Sequence, residues 1–289
     1  MNPPLLFRPS PDAVYGFADA HCIARVDSRY QHIEIWDTSL LGRLFTLDGR
    51  PMTSAGDEFI YHECMVHPAA LAHPAPRAAL VLGGGDGGAA KQLLKHPGIE
   101  RVVVAELDED VVRLTREHLP DVHGGAWDDP RVELAIGDAA VFVEQSHELF
   151  DLVVFDLTPP DSPAAGLYTR SFYVALKRTM APQAALSIHL GAPYFHAARI
   201  EALLDDLRAS FAVVRTMAAF VPLYGSLWLM ATASDTLDPA ALTAEQAAAQ
   251  LATRDIAGLK WYDPALHAAL FAEPYAVRDK LSGVLQPSR

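Results

Sequence analysis

Four acidic residues fall where strand-like segments give way to loops: Asp86, Glu106, Asp138 and Asp156. Asp86 sits inside "VLGGGDGGAAKQLLKH", between an apolar run and a helix-like segment. The glycines around it match GxGxxG at Gly83, Gly85 and Gly88. Such a loop commonly brings backbone against the pyrophosphate of a dinucleotide. An anion at its centre opposes that ligand. Two unit charges about 4 Å apart interact by roughly 4 kcal/mol at an effective dielectric near 20, or about three decades of affinity. Glu106 follows Gly88 by 18 residues, the distance at which an acid grips ribose hydroxyls. The pair therefore points to a nucleoside with a cationic tail. S-adenosylmethionine carries a sulfonium, an ammonium and a carboxylate; its decarboxylated form carries the cations alone.

These residues need a frame that brings strand ends together. Residues 1–59 read as a small antiparallel β domain: alternation begins at Ile23, and Asp48-Gly49 is a hairpin turn signal. Residues 60–234 alternate strand and helix, with "AALVLGG", "RVVVAEL", "RVELAIGDA", "FDLVVFDL" and "AALSIHL" as successive strands. That pattern predicts an α/β, Rossmann-like, mostly parallel sheet with helices on both faces. Ligands of such sheets bind at the carboxyl ends of the strands, where all four acids fall. Residues 235–289 are alanine-rich and read as a helical extension.

"GGGDGG", "ELDEDVV", "DPRVELAIGDA", "DLVVFDLT-P" and "GDEFIYHE", taken in order, resemble the polyamine aminopropyltransferases, the spermidine synthase family. The resemblance runs from about Tyr30 to Met230. It implies transfer of the aminopropyl group of decarboxylated S-adenosylmethionine to a di- or polyamine, with methylthioadenosine released. By position it implies donor contacts from Gln31, His62, Gly83, Gly85, Asp86, Gly88, Glu106, Asp138 and Ala139. Asp86 would hold the propyl ammonium, and Asp138 with Ala139 would read the adenine edge. Asp156 and Tyr61 would be catalytic. Tyr224, His189 and Asp161 would lie toward the acceptor. It further implies a homodimer or homotetramer with the N-terminal strands in the contacts, and a cytoplasmic enzyme with no prosthetic group and no metal.

The sequence departs from the family at the acceptor. Where spermidine synthases typically read D-S-[ST]-D-P, this chain reads "DLTPP", so Pro159 replaces the second aspartate. His189 stands where a glutamine is usual. Asp161, two residues beyond Pro159, is the nearest substitute carboxylate in sequence. Putrescine is the default acceptor; a longer polyamine, as in spermine or thermospermine synthases, is the alternative.

The implied chemistry has one difficulty. An amine with a lysine-like pKa near 10.4 is only about one part in a thousand neutral at pH 7.4, and freeing its lone pair costs roughly 4 kcal/mol. Asp156 is expected to accept the proton or orient the amine. The segment 158–169, rich in proline and small residues, is expected to close over the site.

Three other readings compete. A methyltransferase using intact S-adenosylmethionine and a nicotinamide dehydrogenase are both opposed by the charge of Asp86. A non-catalytic nucleoside-binding protein is opposed by the joint presence of Asp156, Tyr61 and Asp86. A net charge of −13 over 289 residues argues against a nucleic-acid partner and suits a cationic substrate. No apolar run approaches a membrane span. Cys22 and Cys64 fit reduced thiols of a cytosolic protein.

Overall fold

The structure is a computed structural model that describes residues 3–272. Strands β1 (Leu5–Ser10) and β2 (Ala13–Phe17) form an antiparallel hairpin. Strands β3 (Ala20–Asp27), β4 (His32–Thr38), β5 (Gly42–Leu47) and β6 (Arg50–Ser54) form a four-stranded antiparallel sheet. Asp48-Gly49 is the tight turn between β5 and β6, both residues at positive φ. Helix α1 (Glu58–Ala72) then leads into the α/β part.

That part runs β7 (Ala78–Gly83), α2 (Gly88–Leu94), β8 (Arg101–Glu106), α3 (Glu109–His118), a single turn α4 (Pro120–His123), β9 (Val132–Ile136), α5 (Ala139–Gln145), β10 (Phe150–Asp156), α6 (Arg170–Leu176), β11 (Met180–Gly191), α7 (Pro193–Ser210), β12 (Val213–Val221) and β13 (Ser226–Ser234). The strands make one seven-stranded sheet in the order β12-β13-β11-β10-β7-β8-β9. β11, β10, β7, β8 and β9 are mutually parallel; β13 and β12 close the edge antiparallel. The predicted mostly parallel sheet and N-terminal antiparallel strands are both present.

The inner parallel strands β7, β8 and β10 are apolar on both faces, as a covered sheet requires, whereas the edge strand β9 is partly exposed. On β7, Ala79 and Val81 join a core with α1 and α2, whereas Leu80 and Leu82 join one with α5, α6 and α7. A third cluster packs Val111 and Leu114 of α3 under Ile33, Ile35, Phe45 and Leu47 of the four-stranded sheet. It couples the N-terminal sheet to the edge where the acids lie.

Past β13 come α8 (Ala244–Thr253), opened by a capping box between Thr243 and Gln246, and a turn α9 (His267–Leu270). This segment is pinned to α1. The buried carboxylate of Glu63 accepts the backbone N–H groups of Lys260, Trp261 and Tyr262 at 2.7–2.8 Å. Residues 273–289 of the expected extension lie outside the described residues. Cys22 and Cys64 are free thiols, and no described helix is long and apolar enough to cross a membrane.

Candidate active site

The strand order reverses between β7 and β10, which opens a crevice at their carboxyl ends. Gly83 and Asp156, the last residues of those strands, are register partners. A cavity of about 270 Å³ lies at this edge. It is lined by Gln31, Tyr61, Gly83, Gly85, Asp86, Glu106, Asp138, Ala139, Asp156, His189 and Tyr224, residues drawn from both the N-terminal sheet and the α/β part. His62 and Gly88 stand behind the wall, and Asp161 lies in an adjoining chamber.

One half of the cavity is built from the N-terminal ends of α3 and α5. Glu106 is buried, and its carboxylate accepts from the backbone N–H of Gly85 at 3.1 Å and of Asp108 at 3.0 Å. Burial nonetheless lifts its pKa to about 7. Asp108 caps α3 through the N–H of Asp110, and its other oxygen accepts from Ser28 and, at 3.0 Å, from the Gln31 amide. Gln31 is thereby fixed toward the cavity by a residue 77 positions away. Asp138 caps α5 through the Ala140 N–H and is exposed at the mouth.

The other half holds two buried aspartates and a histidine. Asp86 accepts from the Thr53 hydroxyl and from the Gly88 N–H at 2.8 Å. His62 Nε2 stands 3.6 Å from Asp86 Oδ1 and 3.6 Å from Asp156 Oδ2. Behind it, Glu58 Oε2 pairs with His62 Nδ1 at 2.9 Å, and Lys91 donates to Glu58 Oε1 at 2.6 Å. Burial opposes charge on His62, but Asp86, Asp156 and Glu58 together hold its pKa well above the ordinary imidazole value. Burial also works against Asp156, yet His62 and the Tyr61 phenol keep it below the ordinary aspartate value. Asp86 goes the other way, raised by burial and by the nearby Asp156. The three groups lie within 4.8 Å of one another; the imidazolium supplies the positive charge that two buried carboxylates need. Asp156 Oδ2 makes no hydrogen bond and is buried at the cavity wall.

A wall of rings faces Asp156. Tyr224 packs on Trp228 with centroids 4.2 Å apart, and Trp228 stacks on His189 at 5.9 Å and 16°. Tyr224 donates its hydroxyl to Met52 O at 2.8 Å, so it offers the cavity its ring. His189 points Nε2 at Leu157 O, 2.7 Å away, and Nδ1 is buried without a partner. Burial drops its pKa to about 4, so it is neutral and Nδ1 carries the lone pair.

Sequence reasoning missed Thr53, Glu58, Lys91, Asp108, Trp228 and Tyr168, whose hydroxyl lies 3.2 Å from His189 Nε2. Asp108 lies inside the quoted "ELDEDVV", two residues beyond Glu106, and its helix-cap position was a usable signal. Glu58 pairs with His62 at the local i,i+4 spacing of one helix; the others act across the fold and leave no local pattern.

Fold and site together define a Rossmann-like α/β protein with an acid-lined cavity at the switch point of its sheet. A family model for the spermine/spermidine synthase domain matches residues 58–243. The polyamine aminopropyltransferase of Nitrosomonas europaea is 46% identical over 96% of this chain and 86% of its own length. Polyamine aminopropyltransferase 2 of Hyperthermus butylicus is 37% identical over 88% and 84%. Among solved structures, a spermidine synthase bound to the transition-state analogue AdoDATO superposes with a TM-score of 0.85 at 29% identity, covering 93% of this chain and 90% of that one. The spermidine synthase of Thermotoga maritima gives 0.82 at 28% identity, covering 94% and 90%. The chain belongs to the spermine/spermidine synthase family, and its activity is polyamine aminopropyl transfer.

Proposed function

We propose that the cavity binds decarboxylated S-adenosylmethionine, with Glu106 and Gln31 on the ribose side, Asp138 and Ala139 at the adenine and Asp86 on the propyl ammonium. A cationic tail beside Asp86 favours its ionised form and offsets the burial that now raises it. The acceptor amine lies between Asp156 and the ring wall, under Tyr61, Tyr224 and His189. Putrescine is the default acceptor and a longer polyamine the alternative. The reading assigns no prosthetic group and no metal, a homodimer or homotetramer in the cytoplasm, and working units of residues 1–59, 60–234 and 235–289.

In this mechanism the acceptor nitrogen attacks the propyl carbon bonded to sulfur. The C–N bond forms as the C–S bond breaks, and the electron pair stays on sulfur as neutral methylthioadenosine. Sulfur starts as a sulfonium, so no acid is needed. The proton leaves the nitrogen toward Asp156 and water. An aspartate held ionised by His62 is a weak base; its larger contribution is to fix the amine's direction of approach. His189 Nδ1 is a second acceptor for an amine N–H.

The observation that supports this reading most is the buried, unpartnered Oδ2 of Asp156 at the cavity wall. The test supplies decarboxylated or intact donor with a panel of amines and follows methylthioadenosine. Release only with the decarboxylated donor and an amine is expected, and no release with any amine refutes the reading. Asp156→Asn should lower kcat by about 10²- to 10⁴-fold, the range of a positioned acid–base group, with methylthioadenosine binding retained. Collapse of nucleoside binding would overturn the role of Asp156.

A further inference from the structure

The acceptor end of the cavity opens against a second chamber of about 150 Å³, with Pro51, Met52, Pro159, Tyr224 and Trp228 as shared walls. Diamine chemistry calls for carboxylates there. The charged side chains present are Arg8, Arg50 and Arg199 against the single Asp161.

Asp161 is already engaged. Arg50 Nη1 donates to its Oδ1 at 2.8 Å, and Arg199 Nη1 stands 3.7 Å from the same oxygen. Arg199 is left with two buried donors, Nε and Nη2, that no described group accepts. Buried donors without partners are costly unless a ligand or water completes them. The guanidinium is seated closely: a Cβ at position 191 would lie 2.4 Å from Arg199 Nη2, so Gly191 leaves it room. His196 cannot supply the missing acceptor, because Nδ1 accepts from the Ala192 N–H and Nε2 is turned to Pro9 O. The arginine charge is felt in the reactive cavity as well. After burial, it contributes to keeping His189 neutral.

A second ammonium would meet like charge here. A carboxylate would meet a planar fork of N–H donors, the geometry in which guanidinium binds it best. We propose that this chamber binds a carboxylate at the far end of the acceptor, so that α,ω-diamino acids receive the aminopropyl group alongside plain diamines. Arg199 and Arg50 are then specificity-determining residues. The proposal rests on the aminopropyl-transfer reading above. The bond changes are those of that reaction: the ω-nitrogen gains the propyl carbon and loses one proton, sulfur keeps the C–S electron pair, and the carboxylate is unchanged.

Ornithine tests this directly, because it is putrescine with one added carboxylate. The full chain with decarboxylated S-adenosylmethionine is assayed for methylthioadenosine and aminopropylated product with ornithine, putrescine or spermidine. Ornithine should be aminopropylated with kcat/KM within tenfold of putrescine or above it. Arg199→Met should shift the ornithine-to-putrescine ratio of kcat/KM at least tenfold toward putrescine, the scale of one charge-assisted hydrogen bond. Arg50→Ala, at a side chain 43% exposed, should shift it the same way and carries the test if Arg199→Met does not fold. Aminopropylation of putrescine but not ornithine overturns the proposal and leaves the transfer reading standing. So does an unchanged ratio in both variants. Stimulation of putrescine turnover by inorganic phosphate, with ornithine inert, would assign the chamber to a free anion and likewise overturn it. Absence of methylthioadenosine release with every amine tested defeats the transfer reading itself, and the proposal with it.

Discussion

His62 Nε2 stands 3.6 Å from Asp156 Oδ2, and neither atom makes a hydrogen bond to another described group. One buried imidazolium is therefore the countercharge of a carboxylate that lines the cavity. Removing it leaves Asp156 and Asp86 as buried anions without compensation, which typically costs about 3–5 kcal/mol. His62→Gln should lower stability by that order at neutral pH and reduce turnover. The pH dependence has a definite sign. A histidine whose folded pKa is raised contributes fully below about pH 6.5, its ordinary value, and the contribution is lost as pH rises through the folded value. Urea unfolding of wild type and variant from pH 6 upward should show their difference shrinking on the alkaline side.

Glu106 predicts a pH dependence of binding. Its pKa in the free enzyme is about 7, above the ordinary glutamate value near 4.3. Its contribution to stability is present at low pH and lost as pH rises through about 7. Ribose hydroxyls prefer the ionised form as acceptor, so methylthioadenosine should bind more tightly from pH 6 to pH 8 and then level off. Calorimetry across that range checks it. Glu106→Gln should flatten the profile and weaken binding by about tenfold or more.

Gly88 is a packing requirement for His62. A Cβ on Gly88 would lie 2.2 Å from the His62 ring, whereas one on Gly166 meets nothing within 4 Å. Gly88→Ala should therefore displace the ring, lower stability by about 1–3 kcal/mol and depress kcat. Gly166→Ala should leave melting temperature within the small range of surface substitutions. Equal effects of the two changes on melting temperature would contradict this account.

The segment after Asp156 is bound to itself in the free enzyme. Thr158 and Ser162 pair through their hydroxyls at 2.7 Å, and the Tyr168 hydroxyl donates to Thr158 O at 3.0 Å. Thr158, Pro159, Pro163, Ala164, Gly166 and Leu167 all line the cavity. We expect cleavage within 158–169 to slow when methylthioadenosine and an amine are bound together. Unchanged limited proteolysis would exclude closure of this segment.

The fold was legible because β7, β8, β10 and β11 each end in glycine or an acid, and helices alternate with strands from β7 to α7. The four strand-end acids were legible for the same reason. What holds them was not. Thr53 reaches Asp86 from the neighbouring sheet, 33 residues away, and no local pattern encodes such a contact. α1 is buried on nearly every face, so no amphipathic stripe marks which side of it meets the cavity. His62 accordingly reads from sequence as a donor contact, whereas its ring lies between two aspartates behind the wall. Asp161 is close to the acceptor in sequence, but its carboxylate is turned to Arg50 and Arg199. Proximity along a chain fixes reach, not direction.

The grip of Glu63 on Lys260, Trp261 and Tyr262 makes α1 depend on a segment 197–199 residues away. Tyr61, His62 and Glu63 are consecutive on α1, so Tyr61 at the cavity and His62 behind it share a helical turn with the residue that holds segment 260–262. Without residues 260–262, the buried Glu63 lacks the three N–H donors that satisfy it. The cost of that missing contact falls on the helix that carries the reactive side chains. A truncation that removes residues 260–262 would therefore be felt at α1, beside Tyr61 and His62, as well as at the severed end.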